Sequence, residues 1–422
     1  MKRIPKLWTG LGVAAIASTM AAHADVIAVQ DTAAQSPIML ADASGEAGGA
    51  GGESGGASGT TYALGSTDAN AYKYDATKQI EGYIDLVATS YTKAAGDAHV
   101  MSAAIDVFLA APSDTTLAAA RKAWINARPA YLRTEAFRFY DGPIEDVEPR
   151  INSWPMNEAY IDYVVGKPNS GIINDPSVPL DIQTIDKKDQ ADDESNVTTG
   201  WHAIEFLLWG QDLSADGPGN RLYTDYVAGQ GNNDRRREYL KLVTAQLVSD
   251  LDGLATVWTA GTYPGKLRKM PQLEVIGRMV NGIAILAGHE FMSERLAVAL
   301  DSGDQEDEHS CFSDNTKQDF VNDLVSIKQA WTGDSDGKTR DGLDDLVRSR
   351  DAATADEIDA MLKDTETKVA ALGDPWDWVL AKPKGTPERN AAEAVVTALQ
   401  NLGAAFVKAG NKLGVLVLIP SE

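Results

Sequence analysis

The sequence predicts an all-α protein built from two four-helix-bundle-like domains. Apolar residues recur at spacings of three and four through most of the chain after residue 70, and alternating strand patterns are scarce. A stretch rich in Gly, Asp and Asn, residues 212–233, separates two sets of such segments. Two sets of four or five helices each are typical of two antiparallel bundles. Glu135-x-x-Arg138 in the first half and Glu290-x3-Glu294-Arg295 in the second, each late in a long helix, indicate an internal duplication.

The helical segments follow one another in two sets. The first set is predicted at residues 71–95, 99–110, 115–139, 155–165 and 199–210. The second set is predicted at residues 234–259, 272–300, 316–331, 354–372 and 386–413. Residues 141–193 are rich in proline, which disfavours regular helix, so this part is predicted to wrap irregularly over the first set.

Four regions are predicted along the chain. Residues 1–24 have the features of a secretory signal, a basic start, an apolar stretch and an Ala-x-Ala cleavage site. Residues 25–68 are rich in Gly, Ala and Ser and form a flexible tether, because they bury too little apolar surface to become ordered. Residues 69–233 and 234–422 form the two helical domains. The protein is therefore expected to be exported, to the periplasm or in association with the outer membrane or cell surface.

The charge of the chain limits its partners. The formal net charge is −23, and the predicted signal removes three basic residues and no acidic one, which takes the charge to −26. Such a surface repels nucleic acid and anionic membranes, and it favours cations. Cys311 is the single cysteine, so no disulfide forms within one chain.

The most informative motif is the sequence Gly-Trp-His-Ala-Ile-Glu at residues 200–205. His202 and Glu205 are three residues apart, so a helix places both side chains on one face. A nitrogen and an oxygen ligand beside apolar surface suit iron or zinc. The alternative is a structural hydrogen bond on a core helix. The zinc-protease motif does not fit, because Ala203 and Phe206 stand where it requires a base and a second histidine.

Two further pairs of charged residues are candidates for the same site. Glu135 and Arg138 are three residues apart among aromatic residues, and their pair is either part of a site or a solvated ion pair at a helix edge. Glu290 and Glu294 are four residues apart in an apolar helix, with Arg295 next to them. Two carboxylates on one helical face repel each other unless a cation lies between them, which favours a cation-facing role.

Four segments together resemble the imelysin-like family and, within it, the iron-regulated protein A branch. These segments are residues 134–139, 151–155, 200–205 and 304–315. The resemblance covers residues 69–422. It implies an exported bacterial protein of two helical bundles, with a site where the bundles meet, and a link to iron uptake.

The resemblance also implies which residues form the site. The implied metal ligands are His202, Glu205, Glu135 and Glu290, and the other implied site residues are Arg138, Glu294, Arg295, Asp307, His309 and Asp314. The implied cofactor is a metal ion, iron rather than zinc. The implied partners are a metal ion or metal chelate and an outer-membrane or periplasmic component of iron uptake.

The sequence favours metal binding over catalysis. No third nitrogen ligand and no base next to His202 is visible, so an active enzyme is not expected. The alternative function is a metallopeptidase that uses the His-x-x-Glu site, with Glu135 or Glu290 as the base. A third hypothesis is a scaffold protein that binds an outer-membrane receptor and has lost the use of its site.

Overall fold

The computed structural model describes residues 62–63 and 72–420, and these residues form an almost entirely α-helical protein, as predicted. The predicted signal lies outside the described residues. So does the predicted tether, except for Tyr62 and Ala63, which pair antiparallel with Leu416 and Val415. In the described part of the chain, no helix is both long enough and apolar enough to cross a membrane.

The elements succeed one another as follows. The first helices are α1 (Thr77–Ala110), α2 (Asp114–Leu132), α3 (Glu148–Asn152), α4 (Glu158–Ile161), α5 (Ile182–Lys188), α6 (Gly200–Trp209), α7 (Asn233–Thr259) and α8 (Thr262–Leu267). The later helices are α9 (Gln272–Ile285), α10 (Val298–Ser302), α11 (Thr316–Thr332), α12 (Leu343–Arg350), α13 (Ala352–Ala370), α14 (Trp376–Leu380) and α15 (Pro387–Leu413). A π-helix, Leu286–Ala297, joins α9 to α10. The strands are β1 (Tyr62–Ala63) and β2 (Val415–Leu416), and 3₁₀ turns lie at Glu135–Phe137, Ile172–Asn174, Tyr223–Tyr226 and Gln305–Asp307.

The helices pack in two groups. In the first group α1 packs on α2 and α7, and α6 contacts both α2 and α7. In the second group α15 packs on α9, the π-helix and α13, while α11 contacts the π-helix and α13. The predicted division between residues 233 and 234 falls after the first residue of α7, which packs with the first group. The 3₁₀ turn Tyr223–Tyr226 also packs on α7, so the stretch at 212–233 connects helices of one group. The internal duplication stays a prediction.

Two predicted helix boundaries need correction. The segments predicted at 71–95 and 99–110 form the single helix α1, because the intervening residues 96–98 are polar or small but remain compatible with a helix. The helix predicted at 115–139 ends at Leu132, and the chain continues through the 3₁₀ turn Glu135–Phe137. Phe139 has φ +67°, a left-handed conformation that no α-helix contains.

The two groups meet around the 3₁₀ turn Glu135–Phe137. This turn contacts both α9 and α11, and α11 also contacts α2. Gly282 in α9 permits the approach, because a Cβ at this position would collide with the carbonyl oxygen of Ala136. The charged residues near this turn are therefore buried where the two groups touch.

Candidate functional site

Two histidines and one arginine from separate parts of the chain meet in the interior. His202 lies in α6, Arg128 lies in α2, and His309 lies in the loop that precedes α11. Nη2 of Arg128 lies 3.2 Å from Nε2 of His202 and 3.3 Å from Nε2 of His309. The centroids of the two imidazoles are 5.1 Å apart. Each ring therefore directs its Nε2 atom toward the guanidinium of Arg128.

Both imidazoles are neutral, because they are buried beside positive charge. His202 is 2% exposed and His309 is 1% exposed. Burial, together with the charge of Arg128, lowers the pKa of His202 well below its usual range. Burial also lowers the pKa of His309, and the charges of Arg295 and Arg128 add to this effect. Neutral imidazole is the form that binds metal ions.

The hydrogen-bond partners determine which nitrogen of each ring carries its hydrogen. A guanidinium only donates, so Nε2 of each histidine accepts from Arg128 and presents a lone pair. Nδ1 of His202 then carries the hydrogen and donates to Oε2 of Glu205 at 2.9 Å. Nδ1 of His309 lies 2.9 Å from Oδ2 of Asp319, although without the angle of a hydrogen bond. Each ring thus directs a lone pair at Arg128; Glu205 lies behind His202, whereas the same oxygen of Asp319 contacts both His309 and Arg128.

Asp319 and Asn152 complete the group. It is named here the histidine–arginine cluster and consists of Arg128, Asn152, His202, Glu205, His309 and Asp319. Oδ2 of Asp319 accepts from Nη2 of Arg128 at 3.2 Å and from the hydroxyl of Ser310 at 2.6 Å. Nη1 of Arg128 donates to Oδ1 of Asn152 at 2.5 Å. Nη2 carries two hydrogens, yet two imidazole nitrogens and one carboxylate oxygen lie within 3.3 Å of it. Other donors serve the remaining lone pairs, because Nε of Arg128 lies 3.4 Å from Oδ2 of Asp319 and Nδ2 of Asn152 lies 3.5 Å from Nε2 of His309.

Glu205 lies behind His202, away from Arg128. Its Oε1 accepts from the backbone N–H of Ser313 at 3.0 Å and from the Ser313 hydroxyl at 2.6 Å, while Oε2 accepts from His202. Burial raises the pKa of Glu205 to about 8. Both oxygens are thus engaged, and Glu205 orients the ring of His202. Shared metal binding by His202 and Glu205 remains a prediction.

The first glycine of the motif places α6 correctly. Gly200 has φ +84°, and a Cβ at this position would collide with the carbonyl oxygen of Ile151 in α3. Glycine is therefore required for α6 to begin directly against α3. Every residue of α6 is buried, and Nε1 of Trp124 donates to the carbonyl oxygen of Trp201 at 3.1 Å. The helix that carries His202 is consequently fixed on all sides.

A second group of charged residues is named here the salt-bridge network. It consists of Glu135, Arg138, Glu148, Glu290, Arg295 and Asp323. Arg138 donates to Glu135 at 2.7 Å, and Arg295 donates to Asp323 at 2.8 Å and to Glu290 at 3.0 Å. Burial opposes ionisation of Glu135, but the charges of Arg295 and Arg138 prevail and lower its pKa to about 2. The predicted pair of Glu135 and Arg138 is thus a buried ion pair.

Trp154 lies between the network and the histidine–arginine cluster. Its ring centroid is 4.3 Å from that of His309, and the guanidinium carbon of Arg295 lies 5.3 Å from the Trp154 ring. The indole therefore separates two groups of buried charges that belong to one interior region.

The structure does not bring Glu290 and Glu294 together. In the π-helix Leu286–Ala297 the hydrogen-bonded partner is five residues away, so Arg295 faces Glu290. The side chain of Glu294 is 45% exposed, and its Oε1 lies 4.0 Å from Nε2 of His289. The predicted shared face assumed the period of an α-helix, in which Arg295 would face away from Glu290; the π-helix turns Arg295 inward beside Glu290, and Glu294 lies at the surface.

Asp307 and Asp314 flank His309 but do not join the histidine–arginine cluster. Asp307 ends a 3₁₀ turn and lies beside Ser302. Asp314 meets Asp212 and Asp377, and in the described part of the chain these three residues form the group whose candidate ligand atoms all lie within 4.8 Å of one another. This group is named here the carboxylate cluster. Residues 308–314 thus contribute side chains to two different clusters.

The histidine–arginine cluster has suitable donor atoms for a metal but not the spacing. Its imidazole nitrogens and Asp319 surround a guanidinium, which keeps them apart. A metal ion and Arg128 would repel each other at this point. The residues therefore fit a transition metal only when Arg128 has withdrawn.

Sequence reasoning missed Arg128, Asn152 and Asp319. Arg128 lies on the buried side of α2, four residues after Trp124 and three before Tyr131. Asp319 lies in the same way beside Phe320 on the buried side of α11. A charged residue in the apolar stripe of a helix is a detectable signal, because burial of an unpaired charge is too unfavourable to be incidental.

Comparison with known proteins gives consistent matches. The family model for Imelysin matches residues 87–405. Iron-regulated protein A of Synechococcus elongatus is 22% identical over 335 residues, which cover 76% of this chain and 83% of that protein. The crystal structure of a protein described as an iron-regulated protein A precursor, from Parabacteroides distasonis, matches with a TM-score of 0.62 at 21% identity and covers 81% of this chain and 100% of that one. An imelysin-like protein from Psychrobacter arcticum matches with a TM-score of 0.58 at 14% identity, over 82% of this chain and 99% of that one.

Proposed function

The chain belongs to the imelysin family, as its motifs predicted, and we propose that it is an exported iron-binding protein whose metal site is the histidine–arginine cluster. The similarity to an iron-regulated protein supports iron as the metal. We propose Nε2 of His202, Nε2 of His309 and the Asp319 carboxylate as the ligand atoms. Glu205 acts from behind His202 as a positioning residue.

One observation carries this proposal: two neutral imidazole nitrogens and one carboxylate oxygen converge on a single nitrogen of Arg128. Two imidazole nitrogens with one carboxylate are a donor set that suits ferrous iron. A cation already lies where these donors converge, so the cluster is arranged around positive charge. Iron would take the place of the guanidinium, and Arg128 would have to move aside for it.

Binding is better supported than hydrolysis. A hydrolytic site needs an open coordination position that a peptide can reach. His202 is 2% exposed and Glu205 is fully buried, so a peptide bond has no direct approach to them. Of the two predicted bases, Glu135 is paired with two arginines and Glu290 is paired with Arg295. The metallopeptidase alternative therefore lacks a base next to the metal site.

The proposed partners follow from this function. The protein receives iron as an ion or a chelate and passes it to an uptake component in the periplasm or outer membrane. The acidic balance of the chain, −23 overall, attracts cations and disfavours nucleic acid as a partner. The predicted signal at residues 1–24 supports export.

The test is a titration of the full chain, purified free of metal, with ferrous iron in the absence of oxygen. We expect one ion per chain, and we expect His202→Ala and His309→Ala to weaken binding by at least about 100-fold. His99→Ala is the matched control, since His99 is an exposed histidine that pairs with Asp252. Circular dichroism checks that each variant keeps its helices.

A substitution of Arg128 should change iron affinity in the opposite direction to the histidine substitutions. Arg128→Met removes the competing cation and should tighten iron binding while the histidine variants weaken it. Iron binding that is unchanged in both histidine variants would show that the cluster is structural. Iron-dependent peptide cleavage that is lost in Glu205→Gln would instead support the metallopeptidase.

A further inference from the structure

The carboxylate cluster brings together three acidic side chains that are far apart in the sequence. Asp212 follows the end of α6, Asp314 lies in the loop before α11, and Asp377 lies in the first turn of α14. Their candidate ligand oxygens all lie within 4.8 Å of one another. Asp212 and Asp377 are each 3% exposed. Three carboxylates at this spacing repel one another strongly unless a proton or a cation lies between them.

Two of these carboxyls have a buried oxygen that receives no hydrogen bond from a donor outside the cluster. Oδ1 of Asp212 accepts from the backbone N–H of Ser214 at 2.9 Å, and Oδ1 of Asp377 accepts from the backbone N–H of Trp378 at 2.9 Å. Oδ2 of each residue has no such donor, and the carboxyls of Asp212 and Asp314 are close enough to share a proton. A buried carboxylate oxygen without a donor is unfavourable by several kcal/mol in an apolar interior. The Oδ2 atoms of Asp212 and Asp377 can therefore bind a ligand.

The surroundings of the cluster add more negative charge. Burial raises the pKa of Asp314 to about 8, and the carboxyls of Asp377, Asp212 and Asp374 contribute to this rise. Glu308 is buried beside the cluster. Burial raises its pKa, and the carboxyls of Asp377, Asp314 and Asp212 raise it further. Each acidic group therefore raises the pKa of its neighbours, and a cation bound among them would relieve this repulsion.

We propose that Asp212, Asp314 and Asp377 bind a calcium ion. All donors are carboxylate oxygens, the type that hard divalent cations prefer, and no nitrogen or sulfur ligand is present to favour iron(II) or zinc. Calcium–oxygen distances are about 2.3–2.6 Å, so ligand oxygens around one ion lie up to about 5 Å apart. Magnesium requires near-octahedral geometry and usually keeps several water ligands, so three carboxylates from separate chain segments suit calcium better.

Calcium at this position would fasten three chain segments together. These are the end of α6, the loop before α11 and the start of α14. The site is separate from the histidine–arginine cluster and does not depend on iron binding there. Its role follows from its ligands: it fixes the loop that also carries His309.

Terbium(III) luminescence tests the proposal, because terbium replaces calcium at oxygen sites and is excited by nearby tryptophan. Trp376 and Trp378 are the sequence neighbours of Asp377, so we expect terbium bound by Asp377 to be sensitised by an indole. The full chain, purified with chelator, is titrated with terbium, and calcium is then added from about 1 µM to about 10 mM. We expect sensitised emission that calcium removes. We also expect calcium in hundredfold excess over its Kd to raise the melting temperature by about 4 °C or more.

The variants decide between calcium and a shared proton. Asp314→Asn and Asp377→Asn should lose both the emission and the calcium-dependent rise in melting temperature, while their calcium-free forms melt no lower than the parent protein. Asp336→Asn, in the exposed acidic turn at residues 333–337, is the matched control and should keep both signals. His202→Ala should also keep both.

Three results would overturn the proposal. The first is no effect of calcium on the parent protein, which would leave a proton shared among the carboxyls. The second is an unchanged calcium response in Asp314→Asn and Asp377→Asn. The third is displacement of terbium by magnesium or ferrous iron at lower concentration than by calcium. Failure of iron to bind the parent protein would contradict the proposed function and leave the calcium site standing.

Discussion

The histidine–arginine cluster and the carboxylate cluster differ in how their buried charge is balanced. In the first, Arg128 donates to Asn152 and to Asp319, and both imidazoles face it. In the second, the groups that act most strongly on Asp314, apart from burial, are other carboxyls. One cluster contains its own cation, while the other consists of acidic groups that need one.

Two proposed ion sites of one protein can therefore differ in whether a cationic side chain already lies among their ligand atoms. A cluster that holds an arginine is stable without metal, because its lone pairs already have hydrogen-bond donors. A cluster of buried carboxylates without a positive charge among them is stable only when a proton or an ion is added. Removal of one charge should therefore destabilise the first cluster and stabilise the second.

The largest expected effect is that of Arg128→Met. Loss of the guanidinium leaves the buried Asp319 carboxylate without its positive partner, and breaking a buried ion pair in this way costs about 3 to 5 kcal/mol. Denaturant unfolding of the parent and the variant in metal-free buffer measures the difference. Ferrous iron should restore part of the lost stability. A loss below about 1 kcal/mol would mean that Arg128 does not balance the cluster.

A somewhat smaller effect is expected from pH, through Glu148 in the salt-bridge network. Burial raises the pKa of Glu148 from 4.5 to about 7, against the attraction of Arg138. The folded state then holds a proton that the unfolded state releases, so stability falls as pH rises from 4.5 to 7, by up to about 3 kcal/mol. Glu148→Gln should flatten this part of the stability curve. The exposed Glu393→Gln is the control, and an equal flattening there would contradict the assignment.

Glu205→Gln should have an intermediate effect on metal binding. If Glu205 only orients His202, iron affinity should fall by about 10- to 100-fold, which is about 1.4 to 2.7 kcal/mol. His202→Ala should lose more than that, because it removes a ligand atom. Calorimetric titration of both variants measures the order. Equal losses would show that Glu205 is itself a ligand, as the sequence predicted.

The smallest expected effect is that of Asp314→Asn, and it has the opposite sign to that of Arg128→Met. Loss of one carboxylate relieves repulsion from Asp212 and Asp377, so the calcium-free protein should gain about 1 kcal/mol at pH 8 after solvent screening. Thermal unfolding with chelator present measures the gain. A clear loss of stability would show that the carboxyl group is held by donors after all.

The sequence predicted most of the long helices because each has a continuous apolar stripe. It also predicted that His202 and Glu205 meet, because both lie within one turn of one helix, while their role in metal binding stays a prediction. The π-helix was not predictable from the same rule, since Glu290 and Glu294 match an α-helix equally well. Only the packed structure shows that Arg295 takes the inward position.

The partners of these residues could not be predicted for a different reason. The Arg128 guanidinium meets His202, His309 and Asp319 through contacts between separate helices, and no local spacing encodes such contacts. Asp314 likewise meets its two partners from distant parts of the chain. A charged residue within an apolar stripe predicts that a partner exists without identifying it.

Residues 308–314 connect the histidine–arginine cluster to the carboxylate cluster. His309, Ser310 and Ser313 face the histidine–arginine cluster, whereas Glu308 and Asp314 face the carboxylate cluster. One short segment is therefore shared by two proposed ligands. If calcium binding changes the affinity for iron through this segment, thermodynamic linkage requires that iron change the affinity for calcium by the same factor. The protein would then behave as a coincidence detector, in which the concentration of one metal sets the response to the other.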